Sequence, residues 1–359
     1  MKILEYTLRF DTPAFLGNAE QNAQWRTPPI KALLRQWWRV AYAADKGFAV
    51  NLAAMRREEG LLFGNAWLEN DYCKSRLRLR LERWDTGRLT QWPGPEATVH
   101  HPEVGHHGAN VGSTLYLGYG PLRFQGGHTT LKANAAIQHG ESATLSVAMP
   151  EADAPLIEHA LWLMNRFGAL GGRSRNGWGS FSLLPLPAGE ASPERSRGGW
   201  GEGKLPLRFW EDCLQRDWDW PHAIGQDAQK RPLIWQTAAH SDWKILMQRL
   251  AAIKIGLRTR FQFPAAPPGP VQDRHWLSYP VTNHRVNAWS NNARLPNTLR
   301  FKVRPTQDGT LVGVIFHVPH SPPPQFQPNL QTIRQVWSRV HGFLDEPAQQ
   351  LTRIPPLQP

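Results

Sequence analysis

Lys2-Ile3-Leu4-Glu5-Tyr6-Thr7-Leu8-Arg9-Phe10 alternates strictly, with Leu4, Tyr6, Leu8 and Phe10 on one side and Glu5, Thr7 and Arg9 on the other. A period of two marks a strand with one face in a core. Thr27-Pro28-Pro29 then supplies an N-cap and a proline at the first helical position. Ile30, Leu33, Leu34, Trp37, Trp38 and Ala41 follow at helical spacing, which predicts a helix over about 28–44. Residues 76–84 alternate Leu77, Leu79 and Leu81 with arginines, and 113–124 is a weaker, glycine-interrupted strand candidate. Leu156, Ile157, Ala160, Leu161, Met164 and Phe167 set a second helix over 154–167, and Phe181–Leu184 closes the set. The order βαββαβ is the ferredoxin-like plan.

From 187 to 206 the chain is Pro/Gly/Ser-rich with almost nothing to bury, which predicts a linker or insertion between domains 1–186 and 207–359. Beyond it the plan repeats. A strand is expected over 232–238, then a helix capped by Ser241-Asp242 and carrying Trp243, Leu246, Met247, Leu250, Ile253 and Leu257 on one stripe. A hairpin follows, with 298–304 turned by Asp308-Gly309 into Leu311–Val318. A helix through Leu330, Ile333, Trp337, Val340 and Leu344 comes next, and a weak last strand near Gln350–Ile354 ends the pattern. The expected fold class is α+β, two ferredoxin-like (RRM-like) βαββαβ domains in tandem.

The 41 Lys and Arg against 29 Asp and Glu give a net charge of +12, which favours a polyanionic partner. No apolar run of membrane length occurs, so no membrane partner is expected, and the first residues already read as strand rather than as an export signal. A cytoplasmic protein is the expectation. Cys73 and Cys213 alone support neither a disulfide framework nor a thiolate metal site.

Lys31, Arg35 and Arg39 lie four apart on the first helix, with Arg26 near its start and no acidic residue in the row. The row is either a solvated basic face or a track for phosphates. Gly171-Gly172-Arg173-Ser174-Arg175-Asn176-Gly177-Trp178-Gly179-Ser180 follows a helix and precedes a strand, the reverse of a nucleotide-binding phosphate loop. It is either a helix-to-strand turn with solvated arginines or a segment whose backbone approaches a sugar-phosphate chain. The stripes Arg76/Arg78/Arg80 and Arg300/Lys302/Arg304 are either wet sheet faces or backbone tracks. The 17 Trp, several beside Arg, are core side chains or stacking platforms for unpaired bases.

His100-His101 and His106-His107 lie in a Pro/Gly-rich stretch with Glu103 as the only close carboxylate, a poor metal set. Asp11, Glu58-Glu59 and Asp71 form no recognisable acid–base pair, and no nucleophile–His arrangement is readable. A duplex-DNA regulator would carry a helix-turn-helix or zinc-finger pattern, which is missing.

Four blocks occur in order: Phe10-Asp11-Thr12-Pro13-Ala14-Phe15-Leu16-Gly17, the stretch Gln21–Arg39, Leu62-Phe63-Gly64-Asn65, and the glycine-rich run. Together they resemble the RAMP superfamily of CRISPR proteins, and within it the family of Cmr subunit one from type III-B effector complexes. The resemblance is strongest over about 1–185 and weaker from 206 onward. It implies two ferredoxin-like domains and a non-catalytic RNA-binding subunit that caps the end holding the 3′ part of the CRISPR RNA. The implied partners are CRISPR RNA, target RNA and other subunits of a Cmr-type complex in antiviral defence, with cleavage left to those subunits. Carried onto this chain, the family's basic helix block falls on Arg26, Lys31, Arg35 and Arg39, and its glycine loop on Gly171, Gly172, Arg173, Arg175 and Gly177. With Trp25, Asn176 and Trp178 these form the candidate RNA-binding set; no catalytic residue, metal or cofactor is expected. The 187–206 insertion and the His-rich 100–107 stretch depart from the pattern. A metal-independent guide-processing RAMP endoribonuclease is the alternative, but such enzymes carry the glycine loop near the carboxyl end and a His early, whereas here the first His is His100.

Overall fold

The computed structural model describes residues 1–66, 72–186, 204–215, 218–265 and 267–355. Apart from 204–206, the linker expected at 187–206 lies outside the described residues, as does Asp71. The chain is mixed α/β. Its elements begin β1 (Lys2–Phe10), α1 (Thr27–Asp45), α2 (Leu52–Phe63), β2 (Arg78–Leu81), β3 (Thr98–His101), β4 (Ala109–Gly112) and α3 (Ser113–Gly118). There follow β5 (Leu122–Gln125), β6 (His128–Leu131), β7 (Ser142–Met149), α4 (Ala154–Phe167), β8 (Phe181–Pro185), β9 (Leu207–Phe209), α5 (Trp210–Leu214) and β10 (Ile224–Gln226). The last are β11 (Ile234–Gln236), α6 (Trp243–Thr259), β12 (Leu299–Pro305), β13 (Leu311–His317), α7 (Leu330–Asp345) and β14 (Thr352–Arg353).

One compact unit comprises Met1–Gly94, Gly118–Pro206 and Lys302–Pro305. Its sheet runs β2-β7-β1-β8, antiparallel throughout, with Lys2 opposite Met149 and Arg9 opposite Ser142. The alternation of β1 buries Tyr6, Leu8 and Phe10, and β7 buries Ala143, Leu145, Val147 and Met149. α1 and α4 pack against each other, and the Trp37 and Phe167 rings meet at 5.8 Å. The helix start differs from expectation: Arg26, not Thr27, is the N-cap of α1, and no side chain caps it. α2 was not expected. It is capped by Asn51, whose side chain accepts from the Ala54 N–H at 3.0 Å, and it buries Met55, Leu62 and Phe63. It stops at Gly64, at φ +86°, where a Cβ would lie 2.8 Å from the Ser75 nitrogen. The strand expected over 113–124 is instead the short helix α3, a turn, and a β5–β6 hairpin closed by Gly126-Gly127.

The second unit comprises Pro95–Leu117, Leu207–Phe301 and Thr306–Pro359. The division therefore differs from 1–186 and 207–359 in two places: 95–117 groups with the second unit and 302–305 with the first. The second four-stranded sheet runs β12-β13-β11-β14, and β11 is antiparallel to both neighbours. The closing strand is thus present as β14, paired with β11 through Trp235 and Gln236. In both four-stranded sheets the first strand lies between the third and the fourth, with the second outermost beside the third. The stripe of α6 is buried as the spacing required, and Ile333, Val336, Trp337, Val340 and Leu344 bury α7. The His-rich stretch is a two-stranded hairpin, β3 with β4, rather than an open loop.

Candidate nucleic-acid interface

The basic row of α1 meets α2. Glu59 projects from α2 with its carboxylate almost wholly buried, and both Arg35 and Arg39 bind it. Arg39 does so with two bonds, Nε at 2.5 Å and Nη2 at 2.8 Å. Glu59 takes up donors of both guanidiniums and fixes their direction, so the pair, though still net positive, is not the freely presented track that the acid-free row implied. Lys31 is half-buried, and burial, with the Arg35 charge beside it, lowers its ammonium pKa. Arg26 is half-buried, and its Nε meets no acceptor among the described residues. Trp25 is fully buried: it lies edge-on to Phe10 at 5.2 Å and donates its indole N–H to Glu141 at 3.3 Å. It offers no face to a base, and its size explains why, since burying a large aromatic area outweighs leaving it wet.

The glycine loop is framed by its own backbone. Leu170 N–H donates to Gly179 O, Gly179 N–H to Pro13 O and Gly172 N–H to Phe15 O, each at 2.9 Å. A Cβ at Gly179, φ +65°, would lie 1.8 Å from the Leu170 oxygen, and one at Gly171, φ +90°, 2.6 Å from the Phe15 oxygen. These two glycines are required by the chain's close approach to itself, the turn reading of the motif. Thr12 and Ser180 both donate their hydroxyls to Gly177 O at 2.8 Å, which ties the buried end of the loop down.

Beneath the loop sits Lys302. Its ammonium is fully buried and donates to Asn165 O at 2.5 Å, Gly168 O at 2.7 Å and Phe181 O at 2.9 Å. It therefore joins the carbonyl end of α4, where a cation is favoured, to the start of β8, the two points between which the loop is hung. Burial lowers the Lys302 pKa to about 7, and the charge of Asp11 opposes that shift. Asp11 accepts from Ser182 Oγ at 2.6 Å, and burial raises its pKa. The stripe Arg300/Lys302/Arg304 is accordingly not a wet sheet face: its central member is structural.

What the loop displays is its tip. Arg173 and Arg175 are exposed, Asn176 is half-buried, and Gly177 and Trp178 are buried. Trp178 packs on Phe15 and Trp92, each at 5.4 Å, so it too is core rather than a base platform. Arg173 stands at φ +59° and donates from Nε to Tyr119 O at 2.6 Å, which fixes the turn 119–121 beside the tip. There lie residues that no sequence motif marks out. Tyr119 and Phe124 are 66% and 65% exposed, unusual for rings of this size, and Arg123, His128 and Lys132 are exposed on the same turn and hairpin. Lys132 N–H donates to Pro121 O at 2.9 Å, holding the hairpin to the turn. Two aromatic faces and four cations, Arg123, Lys132, Arg173 and Arg175, thus occupy connected segments. One signal was available: no Asp or Glu occurs over 104–140 or over 159–189. The row on α1 and the loop tip, by contrast, have different neighbours: Glu59 and Phe63 for the row, Phe15, Tyr119 and Pro121 for the loop.

Among the described residues no group of three or more His, Cys, Asp or Glu is placed to hold a metal ion. Among them, too, no helix is long and apolar enough to cross a membrane.

Residues 7–182 match the family model of the RAMP superfamily, and this part of the chain, which holds all four sequence blocks, belongs to that superfamily. Over nearly its full length the chain is similar to a chain of the type III-B Cmr-beta structure bound to cognate target RNA and AMPPnP in the presence of ssDNA. That likeness has a TM-score of 0.51 at 11% identity and covers 95% of this chain and 99% of the other. It is also similar to Cmr1 from Pyrococcus furiosus in its apo form, with a TM-score of 0.45 at 15% identity over 89% of each chain. At 11% identity the first of these likenesses is one of fold. No curated protein matches the chain in sequence.

Proposed function

We propose that this protein is a non-catalytic RNA-binding subunit of a type III-B CRISPR (Cmr) effector complex. It caps the end that holds the 3′ part of the CRISPR RNA, contacts guide and target RNA, and works in the cytoplasm with other Cmr subunits in antiviral defence. Both units are read as ferredoxin-like halves, a reading supported by their shared strand order. The observation that carries the proposal is the loop tip of the RAMP unit, where exposed Arg173 and Arg175 are presented and Arg173 is bonded to the turn that carries exposed Tyr119 and leads into the hairpin of exposed Phe124. Cations neutralise phosphates, and exposed rings stack on unpaired bases at about 1–3 kcal/mol per base, a combination suited to single-stranded RNA.

The test is to incubate the purified chain with labelled single-stranded repeat RNA, with and without chelator, and with duplex DNA as competitor. Retention of intact RNA, resistant to duplex competition, is the expected result. Specific cleavage in either condition would replace this reading with that of a guide-processing nuclease. Phe124→Ala should weaken retention by the worth of about one stacked base, roughly 1–3 kcal/mol, with the salt dependence unchanged.

A further inference from the structure

The second unit contains a cluster whose charges do not balance. Arg274 is 5% exposed and donates from Nη1 to both oxygens of Glu103, at 2.7 and 2.8 Å. Its guanidinium lies over the Phe263 ring, 5.2 Å from the centroid, and His284 stacks on that same ring at 3.7 Å and 12°. Arg258, near the end of α6, is the second guanidinium and reaches Ser278 Oγ at 3.3 Å. Tyr116, His101 and His275 complete the surroundings. Burial holds the imidazoles of His101, His275 and His284 below their ordinary value, and the neighbouring guanidiniums push the same way. Two permanent cations therefore face one carboxylate, and that carboxylate, Glu103, is 37% exposed at its side chain.

A guanidinium carries five donors in a fixed fork, and leaving a buried charged donor unmet is costly. Here the buried Nε of Arg274 and the buried Nδ1 of His284 meet no acceptor among the described residues. Both belong to groups ranged on Phe263, and both lie in the cluster that is short of negative charge.

We infer that this cluster is a seat for a phosphate group, whose oxygens accept from Arg258, from Arg274 Nε and from His284 Nδ1–H, with Glu103 competing for the same guanidinium. A tetrahedral phosphate supplies acceptor oxygens in directions that a single planar carboxylate cannot, and fork-shaped bidentate recognition is the strength of arginine. The group is a phosphomonoester of a small molecule or a phosphodiester of an RNA backbone. The inference does not depend on the RNA-binding reading, because free phosphate alone tests it.

The experiment titrates the full-length chain with inorganic phosphate against chloride at equal ionic strength, following binding by calorimetry and thermal stability, in the wild type, Glu103→Gln and Arg258→Gln. Glu103→Gln removes the competing charge and should tighten phosphate binding about tenfold, the scale of one charge-assisted hydrogen bond, and Arg258→Gln should weaken it by a similar factor. Glu103→Gln alters a partly exposed side chain, so that arm stands even where Arg258→Gln does not fold. The inference is overturned if the wild type shows no phosphate response beyond chloride, or if Glu103→Gln only lowers stability without a gain in phosphate affinity. A parallel titration with single-stranded RNA separates the two sources. Tighter RNA binding by Glu103→Gln identifies a backbone phosphate, and unchanged RNA binding beside tighter phosphate binding identifies a small phosphorylated ligand.

Discussion

The basic row of α1 and the tip of the glycine loop look equivalent in sequence, each a short run of cations with no acid among them, yet they differ in the folded chain. Arg35 and Arg39 converge on Glu59, an almost wholly buried carboxylate on the next helix. Arg173 and Arg175 stand exposed, and the loop beneath them is hung on a different cation, Lys302. The lesson concerns where a counter-charge comes from. Helical spacing accounts for partners three and four residues away, but it is blind to a carboxylate delivered by another element. Where the fold has already supplied a cation's anion, a phosphate must compete with that anion for the same donors.

The sharpest way to break the comparison is to remove the most completely committed charge. Lys302→Met leaves three buried carbonyls without their donor and Asp11 with one cation fewer beside it, and should cost about 3–5 kcal/mol in urea unfolding, the scale of stripping one partner from a buried charge. A loss below about 1 kcal/mol would mean that the ammonium is not what holds the loop's ends. Burial can also forbid charge altogether. His341 Nε2 lies 3.0 Å from His317 Nδ1, and His317 Nε2 lies 3.0 Å from Thr298 Oγ1, so the pair is neutral. Burial drops His341 to about 3 and holds His317 well below the ordinary value. Folded values below the unfolded one of about 6.5 mean that the unfolded chain takes up the protons first. Stability is therefore complete above about pH 6.5 and falls as the pH drops towards the folded values, by about 2 kcal/mol per imidazole between pH 6.5 and pH 5. Denaturant midpoints at pH 7 and pH 5 measure this, and the fall should shrink in His341→Gln.

The same contrast shows what could be read in advance. The alternation of β1, the stripes of α1, α4 and α6, and the Asp308-Gly309 turn between β12 and β13 all carry their periodicity in neighbouring residues, and all are present. α2 is hard to read in advance because Leu-Ala-Ala-Met-Arg-Arg-Glu-Glu-Gly over 52–60 has a weak apolar stripe, and its buried face includes a glutamate whose partners lie on α1. The β5–β6 hairpin, in contrast, had a legible signal: Gly126-Gly127 between Leu122-Arg123-Phe124-Gln125 and His128-Thr129-Thr130-Leu131 is a two-residue hairpin turn. The strand at 299–305 is legible as a strand, but its polar side reads only as a wet face or a backbone track, and neither reading buries Lys302. Lys302 is buried because α4 and β8 present unpaired carbonyls to it, which no local pattern encodes. Trp25 and Trp178 stand beside arginine and glycine in sequence but beside Phe10, Phe15 and Trp92 in space.

The smallest effects decide the comparison itself, because they separate stability from binding. Arg39→Gln removes two charged hydrogen bonds to Glu59 while Arg35 keeps that carboxylate paired, and about 1–2 kcal/mol of stability should be lost. The slope of log binding constant against log salt for single-stranded RNA should stay where it is. Arg175→Gln should do the reverse: stability within about 0.5 kcal/mol of the parent and a slope shallower by about 0.7, the value of one phosphate contact on a single strand. If the two substitutions flatten the slope equally, Glu59 does not occupy Arg39 in the RNA-bound state and the row on α1 returns as a binding face. If only Arg39→Gln flattens it, the exposed tip is a solvated turn, and the surface shown by Tyr119 and Phe124 loses its electrostatic partner.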